Sequence, residues 1–279
     1  MKITVLMEDT CGENGCCAEH GLSVFVETEK HRIIADTGAS PLTLQNAQKL
    51  NIPVSSADTV FISHGHYDHT GGLMSLAGTG LDAVIYISPL AFGEFFHGEK
   101  YIGIDGGIKE LAGLHLTAEE ERADDELLIF SGIRGRRLWP KGNSELTERK
   151  NGTDLPDEFC HEQCLAVSEN GKTLLISGCA HNGILNILDR YHEVTGAYPD
   201  AVISGFHMIK KSEYLPEDIE NISETARELA KLPTVFFTGH CTGEEAYGIM
   251  KGIMGSSLRR IRSGDCFCLF NNFTERVIL

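Results

Sequence analysis

Four potential metal ligands lie within six residues of the chain, in the pattern H-x-H-x-D-H formed by His64, His66, Asp68 and His69. Imidazole nitrogens and carboxylate oxygens are ligands of zinc, manganese and iron. The motif follows the apolar run at 60–62, and a loop that leaves a strand lets alternate side chains converge. His64 and His66 can then chelate one ion while Asp68 and His69 face a second. The spacing predicts one or two divalent metal ions, with zinc as the first expectation and manganese or iron as alternatives.

Three later apolar runs end in the same way, each passing through a glycine to a histidine. The runs at 173–177, 201–204 and 234–238 lead to His181, His207 and His240. Ligands of open α/β sheets bind beyond the carboxyl ends of the strands, so we expect these histidines to join the first motif in one site. We predict His181 and His240 as metal ligands. We predict His207 as a further ligand or as the acid or base of a reaction, because imidazole titrates near neutrality, and Asp68 as the other catalytic residue.

Short runs rich in Val, Ile and Phe alternate with helical patterns along the chain. Strands are predicted at 3–6, 22–26, 32–35, 59–63, 83–88, 127–130, 165–167, 173–177, 201–204, 234–238 and 266–270, and helical faces at 184–191 and 219–229. An order that begins with strands and becomes alternating is typical of a mixed sheet covered by helices, the α/β (α+β) class. We predict a single domain spanning 1–279. Its segment at about 90–160 is predicted as an insertion that covers the metal site, because no clean linker bounds it.

The charge balance argues against several kinds of partner. The sequence has 24 Lys and Arg against 40 Asp and Glu, a formal net charge of −16, which repels phosphate backbones and makes a nucleic-acid partner unexpected. No apolar run approaches the roughly 20 residues of a helical membrane span, so we expect no membrane partner. Nine cysteines, an odd number, indicate thiols or metal ligands rather than a disulfide framework. We expect a cytoplasmic protein, and a homo-oligomer is left open.

A positive segment at 134–141 stands out in this acidic chain, with Arg134, Arg136, Arg137 and Lys141 close together. Such an island would attract an anion to one place, since guanidinium and ammonium groups bind phosphate. We predict these four residues as contacts of a small anionic substrate. The alternative is an ordinary solvated loop.

At the residues of the first motif the chain resembles the metallo-β-lactamase superfamily, whose mark is a strand followed by H-x-H-x-D-H. This resemblance implies a four-layer αβ/βα sandwich of two mixed β-sheets with a one- or two-metal site on its open edge. The stretches 19–23, 36–38, 178–183, 205–207 and 239–243 are similar to a narrower subfamily. That group includes the archaeal 7,8-dihydropterin-6-ylmethyl-4-(β-D-ribofuranosyl)aminobenzene 5'-phosphate synthase, a dihydropteroate-synthase-like enzyme. The resemblance also implies that Glu19 or His20 borders the pocket.

The chain departs from the family at the strand that ends at 177. Hydrolytic members usually carry an aspartate there that bridges two metals, whereas this chain has Cys179, with His181 two residues further on. A thiolate could bind a soft ion, or Cys179 could be inert packing while His181 binds, and we favour His181. The remaining ligand histidine of the family could be His161, upstream of Cys179.

These residues predict a metal-dependent enzyme that acts on a small phosphorylated or pterin-like metabolite, either by hydrolysis or by displacement of pyrophosphate. A metal with an open coordination position can polarise a phosphoryl or carbonyl oxygen. The alternative is a metal or redox sensor without turnover, in which the histidines hold an ion together with Cys179 and Cys241. Mutation of His69 discriminates the two, since it changes no rate in a sensor.

Overall fold

The computed structural model describes residues 1–12, 14–210 and 212–270. In chain order the strands are β1 (Lys2–Met7), β2 (Ser23–Glu27), β3 (Arg32–Ala35), β4 (Thr59–Phe61), β5 (Val84–Ile87), β6 (Phe95–His97), β7 (Lys100–Tyr101), β8 (Leu114–Leu116), β9 (Glu120–Arg122), β10 (Leu127–Phe130), β11 (Leu146–Lys150), β12 (Thr153–Pro156), β13 (Cys164–Glu169), β14 (Lys172–Ile176), β15 (Ala201–Ile203), β16 (Val235–Thr238), β17 (Leu258–Arg260) and β18 (Cys266–Cys268). The helices are α1 (Leu42–Lys49), α2 (Tyr67–Thr70), α3 (Leu73–Ala77), α4 (Ile184–Thr195), α5 (Pro216–Leu229) and α6 (Glu244–Met254). Each predicted strand is present, and its ends agree within two residues.

Two seven-stranded mixed sheets carry most of the strands. The first has the order β18-β1-β2-β3-β4-β5-β8, and the second has the order β17-β16-β15-β14-β13-β10-β9. Strands β3, β4, β5 and β8 are parallel to one another in the first sheet, as are β14 to β17 in the second. Parallel neighbours end at the same edge of a sheet. The residues that follow β14, β15 and β16 therefore lie side by side.

Helices cover the outer face of each sheet. One apolar core, which includes Ile3, Val24, Leu165 and Ile203, lies between the two sheets because strands of both contribute to it. A second core joins α4, α5 and α6 to the second sheet, and a third packs α1 and α3 against the first. The layers are thus helix, sheet, sheet and helix, which confirms the predicted four-layer αβ/βα sandwich.

Helix α4 shows how local sequence positions an element behind the site. Its apolar residues Ile184, Leu188 and Tyr191 recur at helical spacing and are buried against the second sheet. The helix ends at Gly196, whose φ of 75° lies in the left-handed region that glycine adopts without strain. Among the described residues, none of the helices combines the length and the apolar character needed to cross a lipid bilayer.

The segment at 90–160 is divided among three sheets. Strands β6, β7, β11 and β12 form a small sheet of order β12-β11-β6-β7, packed on Phe95, Ile102, Leu146 and Phe159. Strand β8 extends the first main sheet, whereas β9 and β10 extend the second. Part of the predicted insertion therefore belongs to the central framework, while the assignment of the whole chain to one domain stays a prediction.

Candidate metal centre and its cavity

The predicted ligands come from four strand ends. Strand β4 leads into the loop that carries the H-x-H-x-D-H motif, and β14, β15 and β16 lead to His181, His207 and His240. Gly178 lets β14 end close to β4, because a Cβ atom at this residue would lie 2.1 Å from Oγ of Ser63. The two main sheets therefore present their histidines to the same place.

Three imidazole rings form the first cluster, which consists of His64, His66 and His181. Their ring centroids are 4.6 Å apart for His64 and His66 and 4.9 Å apart for each of the other two pairs. Each Nε2 atom is buried and has no hydrogen-bond partner among the described residues. A buried nitrogen without a partner costs about 1–3 kcal/mol, and coordination to a cation removes this cost.

The first cluster is uncharged at neutral pH. Burial, reinforced by the neighbouring imidazoles, lowers the pKa of His66 to about 3 and holds the pKa values of His64 and His181 well below the usual range. Neutral imidazole is the form that binds a metal ion. The first cluster can therefore bind a divalent metal ion without releasing protons from its imidazole rings.

The second cluster consists of Asp68, His69, Cys179 and His240, whose candidate ligand atoms all lie within 4.8 Å of one another. Nε2 of His69 is 3.1 Å from Sγ of Cys179 and 3.3 Å from Nε2 of His240. Oδ2 of Asp68 is 3.4 Å from Nε2 of His240. A carboxylate, two imidazoles and a thiol are a donor set that suits zinc.

Charge is concentrated in the second cluster. Burial alone would lower the pKa of His69, but the carboxylates of Asp36 and Asp68 outweigh it and raise that pKa. For Asp68, burial opposes ionisation, and the charges of His69 and His240 overcome it and keep its pKa below the usual range. The second cluster therefore holds protons on imidazole nitrogens that a metal would have to displace.

Cys179 lies between the two clusters. Its Sγ atom also lies within 4.8 Å of ligand atoms of His64 and His181, in addition to its contacts in the second cluster. The same distance holds for the group formed by Cys179, His207 and Cys241. The structure thus brings both Cys179 and His181 to the centre rather than selecting one of them.

Buried acids that the sequence analysis did not include in the site hold the ligands in place. Asp36 follows β3 and accepts hydrogen bonds from N and Oγ of Ser63 at 2.8 and 2.7 Å, and its Oδ2 is 2.6 Å from Nδ1 of His69. Glu162 accepts from the backbone N–H groups of His181 and Asn182 at 2.6 and 2.8 Å. The position of Asp36 at the end of a strand next to β4 is the sequence signal that could have revealed it.

The loop that follows β1 holds His240 in place in a similar way. Glu8 is buried and accepts a hydrogen bond from the backbone N–H of His240. Oδ1 of Asp9 is 2.6 Å from Nδ1 of the same ring. The ring is therefore oriented through its backbone and through Nδ1, which leaves Nε2 directed towards Asp68 and His69. No motif around residues 8 and 9 signalled this role.

His161 differs from the three histidines of the first cluster. Its Nδ1 accepts a hydrogen bond from the backbone N–H of Gly65 at 3.0 Å, and its Nε2 lies 3.2 Å from Oδ2 of Asp157. Both ring nitrogens are therefore occupied. His161 lies close to His66, with ring centroids 5.3 Å apart, and together with Asp157 these residues place possible ligand atoms within 4.8 Å of one another, so a metal-ligand role for His161 stays a prediction.

Family resemblance implied that Glu19 or His20 borders the pocket, and in the structure only His20 of these two lines the cavity. Glu19 accepts hydrogen bonds from the N–H of Ala39 at 3.2 Å and from Oγ of Ser40 at 2.6 Å, so it holds the turn after β3 and does not line the cavity. His20 does line the cavity, with Nδ1 2.8 Å from Oδ2 of Asp9. Its Nε2 atom is 3.5 Å from the Asp68 carboxylate.

A cavity of about 790 Å³ opens over the two clusters. His66, Asp68, Cys179 and His181 contribute to its lining. His207 lines it as well, with its ring centroid 4.1 Å from that of His181. These four ligand candidates are therefore accessible to a small molecule, and His207 lies on the cavity wall rather than inside the first or the second cluster.

The positive segment at 134–141 reaches the cavity through Pro140 and Lys141, and Lys141 is its one cationic residue in the lining. The three arginines do not line it, and their contact with an anionic substrate stays a prediction. Each of them instead meets a carboxylate on the surface: Arg134 with Glu119, Arg136 with Glu158, and Arg137 with Asp189 and Glu228. In a chain with an excess of acids, nearby carboxylates neutralise these cations.

Comparisons with known proteins agree with this geometry. A family model described as the metallo-beta-lactamase superfamily matches residues 18–237. A protein of Methanocaldococcus jannaschii named 7,8-dihydropterin-6-methyl-4-(beta-D-ribofuranosyl)-aminobenzene-5'-phosphate synthase is 30% identical over 294 residues, which cover 95% of this chain and 95% of the relative.

Solved structures extend the comparison. Tm1679, a metal-dependent hydrolase of the beta-lactamase superfamily, has a TM-score of 0.81 at 30% identity and covers 97% of this chain and 100% of its own. Zn(2+)-bound PqqB from Methylobacterium extorquens shares the fold, with a TM-score of 0.56 at 13% identity over 96% of this chain and 100% of its own. The family model spans most of the chain, including the H-x-H-x-D-H motif and three of the four strand ends, and the chain belongs to the metallo-beta-lactamase superfamily.

Proposed function

We propose that this protein is a metal-dependent enzyme that acts on a small phosphorylated or pterin-like metabolite, by hydrolysis or by displacement of pyrophosphate. The observation that carries the proposal is the first cluster, where three adjacent buried imidazoles each keep an Nε2 atom without a partner below an open cavity. Relatives named as a metal-dependent hydrolase and as a synthase of a pterin compound support the two reaction classes.

The residues that would hold metal fall into two sets. His64, His66 and His181 would hold one ion, and the second cluster would hold another through a carboxylate, two imidazoles and the Cys179 thiolate. Zinc is the ion we propose, because imidazole and thiolate donors together suit it. When bound, such an ion supplies Lewis acidity that withdraws charge from a phosphoryl or carbonyl oxygen.

The chain's own residues would orient the substrate and move its proton. Asp36 and Glu162 hold the loops that carry the metal ligands, so that the ligand side chains keep their positions when a substrate binds. We propose His207 as the acid or base. Its Nε2 atom lies on the side of Gly142, which also lines the cavity, so the proton would be held at that atom within reach of a bound molecule.

The proposal is tested by loading purified protein with zinc, manganese or iron and measuring turnover on two kinds of substrate. A panel of phosphate esters tests hydrolysis, and a pterin diphosphate ester offered together with an aminobenzene ribofuranosyl phosphate tests displacement, read as pyrophosphate release. We expect His69→Ala to reduce the rate by about a hundredfold or more. The matched control is His192→Ala, because that ring packs against Tyr198, with centroids 4.9 Å apart, and is not part of the cavity lining.

The sensor alternative keeps one structural argument in its favour. Cys179, His207 and Cys241 bring two thiols and an imidazole within 4.8 Å of one another, and a reaction of the proposed kind does not require the second thiol. A sensor would bind and exchange metal reversibly while no substrate in either panel turns over. The absence of turnover at full metal loading would therefore reject the enzyme and favour the sensor.

A further inference from the structure

Lys100 places an ammonium group on the cavity wall without a carboxylate beside it. Its side chain lines the cavity, and no Asp or Glu oxygen of the described chain lies within 4.0 Å of its Nζ atom. The other two lysines of the lining, Lys141 and Lys210, both approach Asp218, at 3.9 and 2.5 Å. Their charges are therefore compensated within the wall, whereas that of Lys100 is not.

The position of this ammonium group is fixed by the metal motif itself. Nζ of Lys100 donates a hydrogen bond to Oη of Tyr67 at 3.0 Å and lies 4.4 Å from the centroid of the Tyr67 ring. Tyr67 stands between His66 and Asp68 in the sequence, and its backbone N–H donates to the carbonyl of Ile102 at 2.8 Å. The segment at 100–102 and the metal-ligand loop are thus joined by two hydrogen bonds.

An ammonium group carries three hydrogen-bond donors, and the bond to Tyr67 uses one of them. The remaining donors and the uncompensated charge are suited to a phosphate oxygen. The protein has a net charge of −16, so most of its surface repels anions. A cation beside the cavity without a carboxylate partner would attract an anion to that one place. Apolar side chains of Ile102 and Leu146 line the cavity next to it and would contact the uncharged part of the ligand.

We propose that Lys100, held by Tyr67, forms the subsite for the phosphate group of a small phosphorylated metabolite. The phosphate would then be anchored on the wall, away from the compensated lysines and separate from the group that reaches the metal-ligand clusters. The substrate class rests on the proposed function, but anion binding at Lys100 does not require turnover.

The test is calorimetric titration of ribose 5-phosphate and of uncharged ribose into wild-type protein, Lys100→Ala and Lys100→Arg. The matched control is Lys109→Ala, because Nζ of Lys109 also lies over an aromatic ring, 5.2 Å from the centroid of Phe92, but does not line the cavity. We expect Lys100→Ala to weaken ribose 5-phosphate binding about tenfold, while Lys100→Arg retains most of the affinity and Lys109→Ala all of it.

The proposal is overturned if Lys100→Ala binds ribose 5-phosphate as wild-type protein does, or if wild-type protein does not bind ribose 5-phosphate more tightly than ribose. Each titration is run on zinc-loaded and on chelator-treated protein, and the effect of Lys100→Ala is expected in both. A Lys100 effect without metal uptake or turnover would leave the subsite standing and reject the proposed function. Turnover without a Lys100 effect would do the reverse.

Discussion

Alanine variants of His181 and His161 separate a metal ligand from a structural histidine. Both side chains are buried, and their ring centroids lie 4.9 and 5.3 Å from that of His66. They differ in their nitrogens, since both nitrogens of His161 have hydrogen-bond partners and Nε2 of His181 has none among the described residues. We therefore expect His181→Ala to lose bound zinc and His161→Ala to keep it.

In metal-free protein we expect the opposite order for folding stability, with His161→Ala more destabilised than His181→Ala. His161→Ala leaves the N–H of Gly65 without an acceptor and the buried Asp157 carboxylate without the ring, which lowers the free energy of unfolding by about 3–5 kcal/mol. His181→Ala loses the contact with Asn143 and the stacking on Phe159, but it also removes an unpaired nitrogen. Its loss is therefore smaller, about 1–2 kcal/mol.

Two measurements on each variant decide the matter. Zinc content after loading and dialysis reports the ligand, and urea unfolding of chelator-treated protein reports the structural role. We expect His181→Ala to have the lower zinc content and His161→Ala to have the lower free energy of unfolding without metal. If His161→Ala loses an ion while His181→Ala retains the full zinc content, the reasoning from occupied and unoccupied nitrogens is refuted.

Three further predictions concern protons, orientation and stability. Zinc binding to the first cluster should release no protons at neutral pH, because the pKa of His66 is about 3, whereas binding to the second cluster should release protons from His69 and His240, whose pKa values are raised. Affinity for the second ion should therefore rise with pH across the neutral range while affinity for the first stays flat, as calorimetry in buffers of different ionisation enthalpy can show. Asp36→Asn should weaken metal binding by about 10–100-fold, because the carboxylate accepts with both oxygens, from the N–H of Ser63 at Oδ1 and from Oγ of Ser63 and Nδ1 of His69 at Oδ2, whereas an amide has only one acceptor oxygen. Metal titration with competing chelators measures this, and an unchanged affinity would mean that the ring is held by other contacts. Chelation should lower the Tm by at least about 5 °C, since it returns three buried Nε2 atoms to an unpaired state, and scanning calorimetry with and without zinc would contradict this if the two curves coincide.

The framework and the metal motif could be predicted because their signals are local. Runs such as those at 60–62 and 174–176 are apolar over their whole length and are followed within five residues by a glycine and a histidine. Parallel strands then carry these histidines to one edge whatever the details of the loops. The proximity of His181, His207 and His240 follows from this topology, whereas His64 follows a strand of the other sheet and meets His181 through the packing of the two sheets.

The small sheet of β6, β7, β11 and β12 had no such signal. Its strands are short and largely polar, and they are held by contacts such as the ion pair between Arg149 and Asp154 and the packing on Phe159. Those partners are distant in sequence or exposed, so neither periodicity nor burial could be read from the residues alone. Lys100 lies on this sheet, and for that reason no sequence pattern indicated it as a site residue.

Charge and hydrogen-bond partners were also beyond the sequence. Arg136 and Arg137 looked like an anion site because they are adjacent to each other, but the fold brings Glu158 and Asp189 within 2.9 and 3.1 Å of them. Similarly, nothing in the local sequence of His161 shows that the N–H of Gly65 will occupy its Nδ1 atom. Which side chain remains free is decided by the tertiary structure.

The central claim is that His64, His66 and His181 hold one metal ion between their unpaired Nε2 atoms. The most direct measurement is a crystal structure of zinc-loaded protein with anomalous diffraction recorded at the zinc edge. We predict an anomalous peak about 2.0–2.1 Å from each of the three Nε2 atoms. An anomalous map with no peak beside these atoms at full zinc occupancy elsewhere would contradict the account.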